Sequence, residues 1–166
     1  EIVNPSESRL VTHTIYREKD PIENFSIVYK EREKINKFLS QIKSSRNLKN
    51  LVCLCIGGSR LGTEILSEFQ SEDEKIKVHF CSSYDLIELK KALSECEYKD
   101  TVFFVLSKSF ETQEIIKNLN YVKSWFELTS DYDLVDNLYG VSSNSTLMSA
   151  HGIKKEKQFQ ILDILQ

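Results

Sequence analysis

Two short segments of this 166-residue chain concentrate groups that bind anions. The first, Ile56-Gly57-Gly58-Ser59-Arg60-Leu61-Gly62, follows an apolar run and precedes a helical pattern. Glycines there let the backbone approach a ligand closely, and a helix N-terminus offers unpaired N–H groups with a partial positive charge. The spacing is Gly-Gly-x-x-x-Gly, which is neither the dinucleotide fingerprint nor a P-loop with its closing Lys-Ser/Thr. A tight strand-to-helix turn would use the same glycines with no ligand. The second segment, Ser107-Lys108-Ser109-Phe110-Glu111-Thr112-Gln113-Glu114, also opens a helix after an apolar run. Within six residues it holds three hydroxyls and one ammonium. Such a set suits a phosphate dianion, with hydroxyls and N–H groups as neutral donors and Lys108 as the point charge. Ordinary helix capping accounts for one hydroxyl or two. It does not account for Lys108 at the positive end of a helix, where a cation is disfavoured unless an anion joins it.

Other reactive residue types are dispersed. Cys53 and Cys55 are two apart and would share one strand face, but zinc sites favour a Cys-x2-4-Cys turn with a second such pair. Cys81, Cys96, His13, His79 and His151 supply no such pattern. Small buried hydrophobes in a reducing compartment is the better reading, and no metal site is expected. His79 lies within a strand and reads as packed or edge-exposed, whereas His151 lies in a Ser/Asn/Gly-rich loop and reads as solvated. Glu111 would be an anion beside a phosphate and makes a poor partner for it. Nothing in the sequence brings a base within reach of a substrate proton, so no catalytic residue is assigned.

The elements that must position these segments follow from hydrophobic period. Asn4-Pro5-Ser6-Glu7 has the cap, first-turn proline and returning Glu of a helix start, predicting a short helix from Pro5 to Arg17. Ile22, Phe25, Ile35, Phe38, Leu39 and Ile42 recur at helical spacing and predict one amphipathic helix of about 22 residues ending near Ser44-Ser45. The period then changes. Leu51 to Ile56 is a continuous apolar run, as in a strand buried on both faces. A helix through Ile65, Leu66 and Phe69 follows it. Ile76 to Ser82 and Thr101 to Leu106 are further strands, with helices over Tyr84 to Glu95 and Thr112 to Leu128, and Leu138 to Val141 reads as a fourth strand. Alternation of this kind means a three-layer α/β fold, a doubly wound parallel sheet flanked by helices, with ligands at the carboxyl ends of the strands.

Composition narrows the function classes. Twenty-two Lys and Arg against 25 Asp and Glu give a formal charge of −3, which argues against nucleic acid, whose phosphates want a concentrated excess of cations. The longest apolar run is far too short to cross a bilayer, no charged-then-apolar leader is present, and no low-complexity tract appears. A globular, cytoplasmic domain with no membrane partner is the expectation.

The two anion-binding segments, in this order, closely resemble the glucose-6-phosphate isomerase family. That family carries an Ile-Gly-Gly-Ser-x-Leu-Gly turn and a Ser-Lys-Thr-Phe-x-Thr-x-Glu loop. Val78-His79-Phe80 with Ser82-Ser83-Tyr84-Asp85 resembles the strand and turn between them, and Asn4, Glu7, Arg9 and His13 resemble an Asn-x-Thr-Glu-x-Arg-x-x-x-His segment. The resemblance implies a sugar-isomerase (SIS) fold in which Ser107, Lys108, Ser109 and Thr112 hold the phosphate of glucose 6-phosphate or fructose 6-phosphate. Ser109 replaces the usual Thr and keeps the hydroxyl. Gly58 and Ser59 would line the sugar, while Arg60 stands where the family often has an acidic residue.

The family's reaction opens the ring and moves a proton between C1 and C2 through an enediolate, a step of glycolysis and gluconeogenesis needing no cofactor. It uses a Glu base in a Gln-x-x-x-Glu-Ser motif, an assisting His and Lys, and an Arg from a Gly-Gly-Arg-x-Ser loop. None of these motifs occurs here. The resemblance therefore implies that residues 1–166 are one SIS-type phosphosugar-binding domain, cut before the catalytic Arg loop and the second such domain. Phe159 to Leu165 resembles the approach to that loop. The implied partners are the missing C-terminal half of the same enzyme and, for the parent, a second copy in a homodimer; this chain alone is expected to be inactive. Two other readings use the same residues. A stand-alone phosphosugar sensor would need the apolar tail Ile161-Leu162-x-Ile164-Leu165 covered. A dinucleotide domain would need differently spaced glycines and an acidic residue closer to its second strand than Asp85.

Overall fold

A computed structural model of the protein describes residues 3–4, 9–10, 26–45, 48–68, 76–129 and 133–161. Two residues at a time, β1 (Val3–Asn4) and β2 (Arg9–Leu10) pair antiparallel, Val3 opposite Leu10 and Asn4 opposite Arg9. This corrects the helix expected over Pro5 to Arg17. The residue before a proline is biased to extended backbone, and here that bias at Asn4 prevails over the cap signal. The rest of that segment, with Ile22, Phe25 and Phe69, lies outside the described residues.

Helix α1 (Ser26–Ser45) leads into the alternation β3 (Asn50–Cys55), α2 (Gly58–Ser67), β4 (Lys77–Cys81), α3 (Ile87–Leu93), β5 (Thr101–Leu106), α4 (Gln113–Thr129), β6 (Leu138–Ser142), α5 (Ser145–Ala150) and β7 (Gln158–Gln160). The sheet is wholly parallel in the order β4-β3-β5-β6-β7. The chain steps outward from β3 to β4, then crosses back to β5, so the order reverses between β3 and β5. In doubly wound sheets that reversal opens the ligand crevice at the carboxyl ends. Helix α3 begins at Ile87 rather than Tyr84, because Leu86 takes the left-handed conformation (φ 65°) and Asp85 Oδ1 accepts from Ile87 N–H to form a turn. Strand β7 and helix α5 were not expected. β7 has three residues and a single apolar one, too little pattern to read.

Consecutive strand residues face opposite ways, and Phe103 and Phe104 of β5 show which helix covers which face. Phe103 meets Trp125 of α4, and on that side α3, α4 and α5 bury the main core of Val52, Leu54, Leu89, Leu93, Val105, Leu119, Val122, Phe126 and Met148. Phe104 faces α1, whose Phe38 packs edge-on against Phe104, Tyr139 and Phe159 at centroid distances of 5.5, 4.8 and 5.6 Å. Right-handed crossovers set α2 on this second face, opposite α3. Its flank is the less covered one: Leu61, Ile65 and Leu66 are 62, 57 and 73% exposed. Helix α1 also closes the outer edge of β7. Glu31 accepts from Gln160 N–H at 3.1 Å, and the Lys34 ammonium donates to the Gln158 carbonyl. No helix among the described residues is long and apolar enough to cross a membrane.

A polar network ties the opposite, amino end of the sheet. His79 Nε2 lies 3.1 Å from Asn50 Oδ1, and Asn50 Nδ2 and Lys49 Nζ donate to the Asp100 carboxylate at 3.3 and 2.8 Å. Burial, helped by Lys77, holds the His79 pKa below its ordinary value. The unfolded chain then takes up this proton first, at about pH 6.5. Stability is therefore complete above that pH and falls as the pH drops towards the folded pKa. Urea midpoints are expected to decline between pH 7.5 and 5.5, and to decline less steeply in His79→Gln. An unchanged slope in that variant would remove His79 as the cause.

Candidate functional site

The crevice is built from three loops at the carboxyl ends of β3, β5 and β6. After β3 the chain turns through Gly57, whose φ of 58° and ψ of −128° suit glycine alone, and whose carbonyl accepts from the N–H groups of Arg60 and Leu61. This turn launches α2 immediately, so Gly58 and Ser59 occupy its first turn. The opening glycine segment is thus a strand-to-helix corner with its free N–H groups directed beyond the end of the sheet.

After β5 the loop folds on itself. Phe110 N–H donates to Ser107 Oγ at 3.1 Å and Glu111 N–H to Ser109 Oγ at 3.3 Å. A hydroxyl that accepts in this way still has its own proton to donate, so both remain available to an anion. Ile116 N–H donates to the Thr112 carbonyl, which makes Thr112 the residue that opens α4. Phe110 is left-handed at φ 59°, rare for a bulky side chain, yet only 1% exposed. Its ring is driven into the core beside His151, centroids 5.6 Å apart, while Lys108, Ser109 and Glu111 on either side of it are exposed.

The β6 end holds this loop in place. The Lys108 carbonyl accepts from Ser142 Oγ (2.8 Å), Ser143 Oγ (2.8 Å) and Ser143 N–H (3.0 Å). Ser142 Oγ in turn accepts from Asn144 N–H, and Asn144 Oδ1 caps α5 through Leu147 N–H. Between the loops lies a cleft of about 420 Å³ lined by Ile56, Ser59, Ser107, Lys108, Ser109, Thr112 and Ser143, with Leu106 and Ile115 beneath. Five of the six residues singled out from sequence therefore meet in one cleft. Gly58 does not line it; it is exposed at the start of α2, beside Ser59.

The other chemical candidates are directed elsewhere. Burial pushes the thiols of Cys53 and Cys81 up to about 12 and those of Cys55 and Cys96 to about 11, so all four are protonated at neutral pH and are neither nucleophiles nor ready metal ligands. Among the described residues, no three His, Cys, Asp or Glu side chains are grouped as a metal would need. His79 belongs to the amino-end network. His151 is half-buried against Phe110 rather than solvated.

The family model described as phosphoglucose isomerase matches residues 1–166. The chain belongs to that family. Among curated relatives, the glucose-6-phosphate isomerase of Paraburkholderia phymatum is 30% identical over 175 residues, and that of Alteromonas mediterranea 30% over 181. Each alignment takes in 98% of this chain, which spans about a third of those relatives' length (32 and 33%). A crystal structure of a glucose-6-phosphate isomerase from Chlamydia trachomatis superposes with a TM-score of 0.78 at 22% identity, covering 95% of this chain and 32% of that one. A Thermus thermophilus protein described as hypothetical gives 0.65 at 20% identity, over 80% of this chain and 31% of its own. These two establish the shared fold.

For this phosphoglucose isomerase family member, sequence reasoning missed Ser142 and Ser143. The available signal was a Ser-Ser-Asn-Ser run directly after a predicted strand, at the sheet end where ligands collect. It also left Arg60 without a role, because two of its partners, Ser82 in the turn after β4 and Glu88 of α3, lie more than twenty residues further on.

Proposed function

We propose that this chain forms the sugar-phosphate cradle of a glucose-6-phosphate isomerase, the enzyme that interconverts glucose 6-phosphate and fructose 6-phosphate through an enediolate. The observation carrying this reading is the meeting of Ser59, Ser107, Lys108, Ser109 and Thr112 around one cleft at the switch point of the sheet. Lys108 supplies the charge, the three hydroxyls and the opening N–H groups of α4 supply neutral donors, and Ser59 with the neighbouring Gly58 meets the sugar. Family membership supports the choice of a phosphorylated sugar over other anions.

Proton transfer lies outside this cradle. It needs a base, an assisting His and Lys, and an Arg beside the enediolate, and the 166 residues contain none of the motifs that supply them in the family. Base and electrostatic stabiliser are each worth about 10²-fold or more, so the chain alone should bind without turning over. The partner of this SIS-type domain, on this reading, is the remaining two-thirds of an isomerase of the relatives' length. The exposed Leu61, Ile65 and Leu66 of α2 offer it an apolar flank. The parent is a homodimer, and the compartment is the cytoplasm.

Calorimetric titration with glucose 6-phosphate tests the cradle. Saturable binding is expected, weakened at least tenfold by Lys108→Ala, in line with the roughly 1.5–3 kcal/mol of a hydrogen bond to a charged group. Wild-type affinity in that variant, or no binding by the unaltered chain, would overturn it.

A further inference from the structure

We propose that Arg60 is a positioning residue, holding the Ser59 wall of the cleft to the turn after β4. Helix α2 needs such a tie. Its cap residue, Gly57, offers no side chain to cap it, and none of its residues is buried, so packing does little to fix its first turn. Arg60 sits in that turn and reaches across to its neighbours. Its Nε and Nη2 meet the two oxygens of Glu64 at 3.0 and 3.3 Å, while Nη1 donates to Glu88 Oε1 at 3.0 Å and to Ser82 Oγ at 2.5 Å. The other Glu88 oxygen accepts from Ser82 N–H (2.8 Å), Ser83 N–H (3.2 Å) and Ser82 Oγ (3.2 Å). One carboxylate from α3 therefore fills the turn after β4, and one guanidinium fastens α2 to it.

The charge balance separates this role from ligand binding. Two carboxylates surround Arg60, so its cation is already neutralised and four of its five N–H groups are engaged. Arg60 does not line the cleft, but Ser59, the preceding residue, does. The loop after β5 has a separate fastening, the Lys108 carbonyl held from β6. Loss of the Arg60 tie should therefore loosen the sugar wall and leave the phosphate wall intact.

The inference rests on the phosphosugar reading for its ligand but has a test independent of it. Arg60→Met keeps the unbranched stem of the side chain and removes the guanidinium with its charge. Glu88→Gln keeps an acceptor and is the second variant should the first fold poorly. Glucose 6-phosphate binding is expected to weaken roughly tenfold in either, within the hundredfold that misplacement by about 1 Å can cost, while inorganic phosphate binds as before. Arg60→Lys should recover part of the loss. General destabilisation would weaken both ligands together, and that result, like unchanged binding of both, would overturn the proposal. Hydrogen exchange without ligand supplies the independent arm. Faster exchange is expected at the amides of Arg60 to Thr63 in Arg60→Met, with no change from Phe110 to Ile116; unchanged exchange at Arg60 to Thr63 overturns the tie even if the unaltered chain binds no sugar phosphate.

Discussion

Replacing Phe110 by Ala should lower stability by about 3–5 kcal/mol and abolish phosphate binding by the chain that remains folded. The ring is 1% exposed within the main core, so its removal loses transfer free energy and leaves a cavity. The loop consequence is separate. Phe110 lies between Ser109 and Thr112, and its inward ring anchors a left-handed turn that keeps the Lys108 and Ser109 side chains outside. Phe110→Gly separates the two effects. Both variants lose the same ring, but alanine still bears the left-handed penalty of about 1 kcal/mol and glycine does not. Phe110→Gly should therefore be the more stable of the two, reversing the usual order of these residues. Urea denaturation of both variants decides it, and an alanine variant more stable than the glycine one would show that the left-handed turn carries no strain.

Gly140→Val should cost about 3 kcal/mol for the opposite reason, too much volume. A Cβ at this position on β6 would stand 2.7 Å from Met148 Sδ and 2.8 Å from Ile153 Cδ1. Both side chains end flexibly, but both are buried and have little room to retreat. Relief must come from moving α5 away from the sheet, and α5 begins at the Asn144 cap next to Ser142 and Ser143. The strain thus reaches the three hydrogen bonds on the Lys108 carbonyl, and phosphate affinity should fall with stability. Met148→Ala in the same chain returns the lost space and should restore much of both. A Gly140→Val protein as stable as its parent would show that the helix yields without cost.

Much of this was legible in the sequence because it is local. Leu51 to Ile56 and Thr101 to Leu106 are unbroken apolar runs, and a strand buried on both faces leaves that mark whatever surrounds it. Hydroxyls and a lysine directly after such a run identify the binding edge of the sheet, which is why Ser107, Lys108, Ser109 and Thr112 could be named together, whereas Gly58 and Ser59 stand out only through the resemblance of their turn to the family's motif. What escaped depends on partners distant in the chain. Gln158-Phe159-Gln160 is a strand only because Gly140 to Ser142 lies alongside it. Arg60 has meaning only with Glu88, 28 residues further on. The left-handed residues Phe110, buried in the core, and Leu86, partly buried against it, are held against their own preference by tertiary packing, and no propensity scale reveals a conformation that packing imposes. At Asn4 the error ran the other way, a good cap signal set aside by the extended bias of a residue before proline, which suits its pairing with Arg9.

The contacts from Glu31 and Lys34 to the outer rim of β7 acquire a further meaning when the protein is made on the ribosome. Chains emerge amino end first, and α1 is complete long before Gln158 to Gln160 is translated. The strand β7 therefore emerges after both the strand it pairs with and the helix that covers its rim. An uncovered rim would invite a strand from another nascent chain on the same message, where local concentrations are high. Encoding the cover ahead of the strand means that the rim has its partner available as soon as it is made.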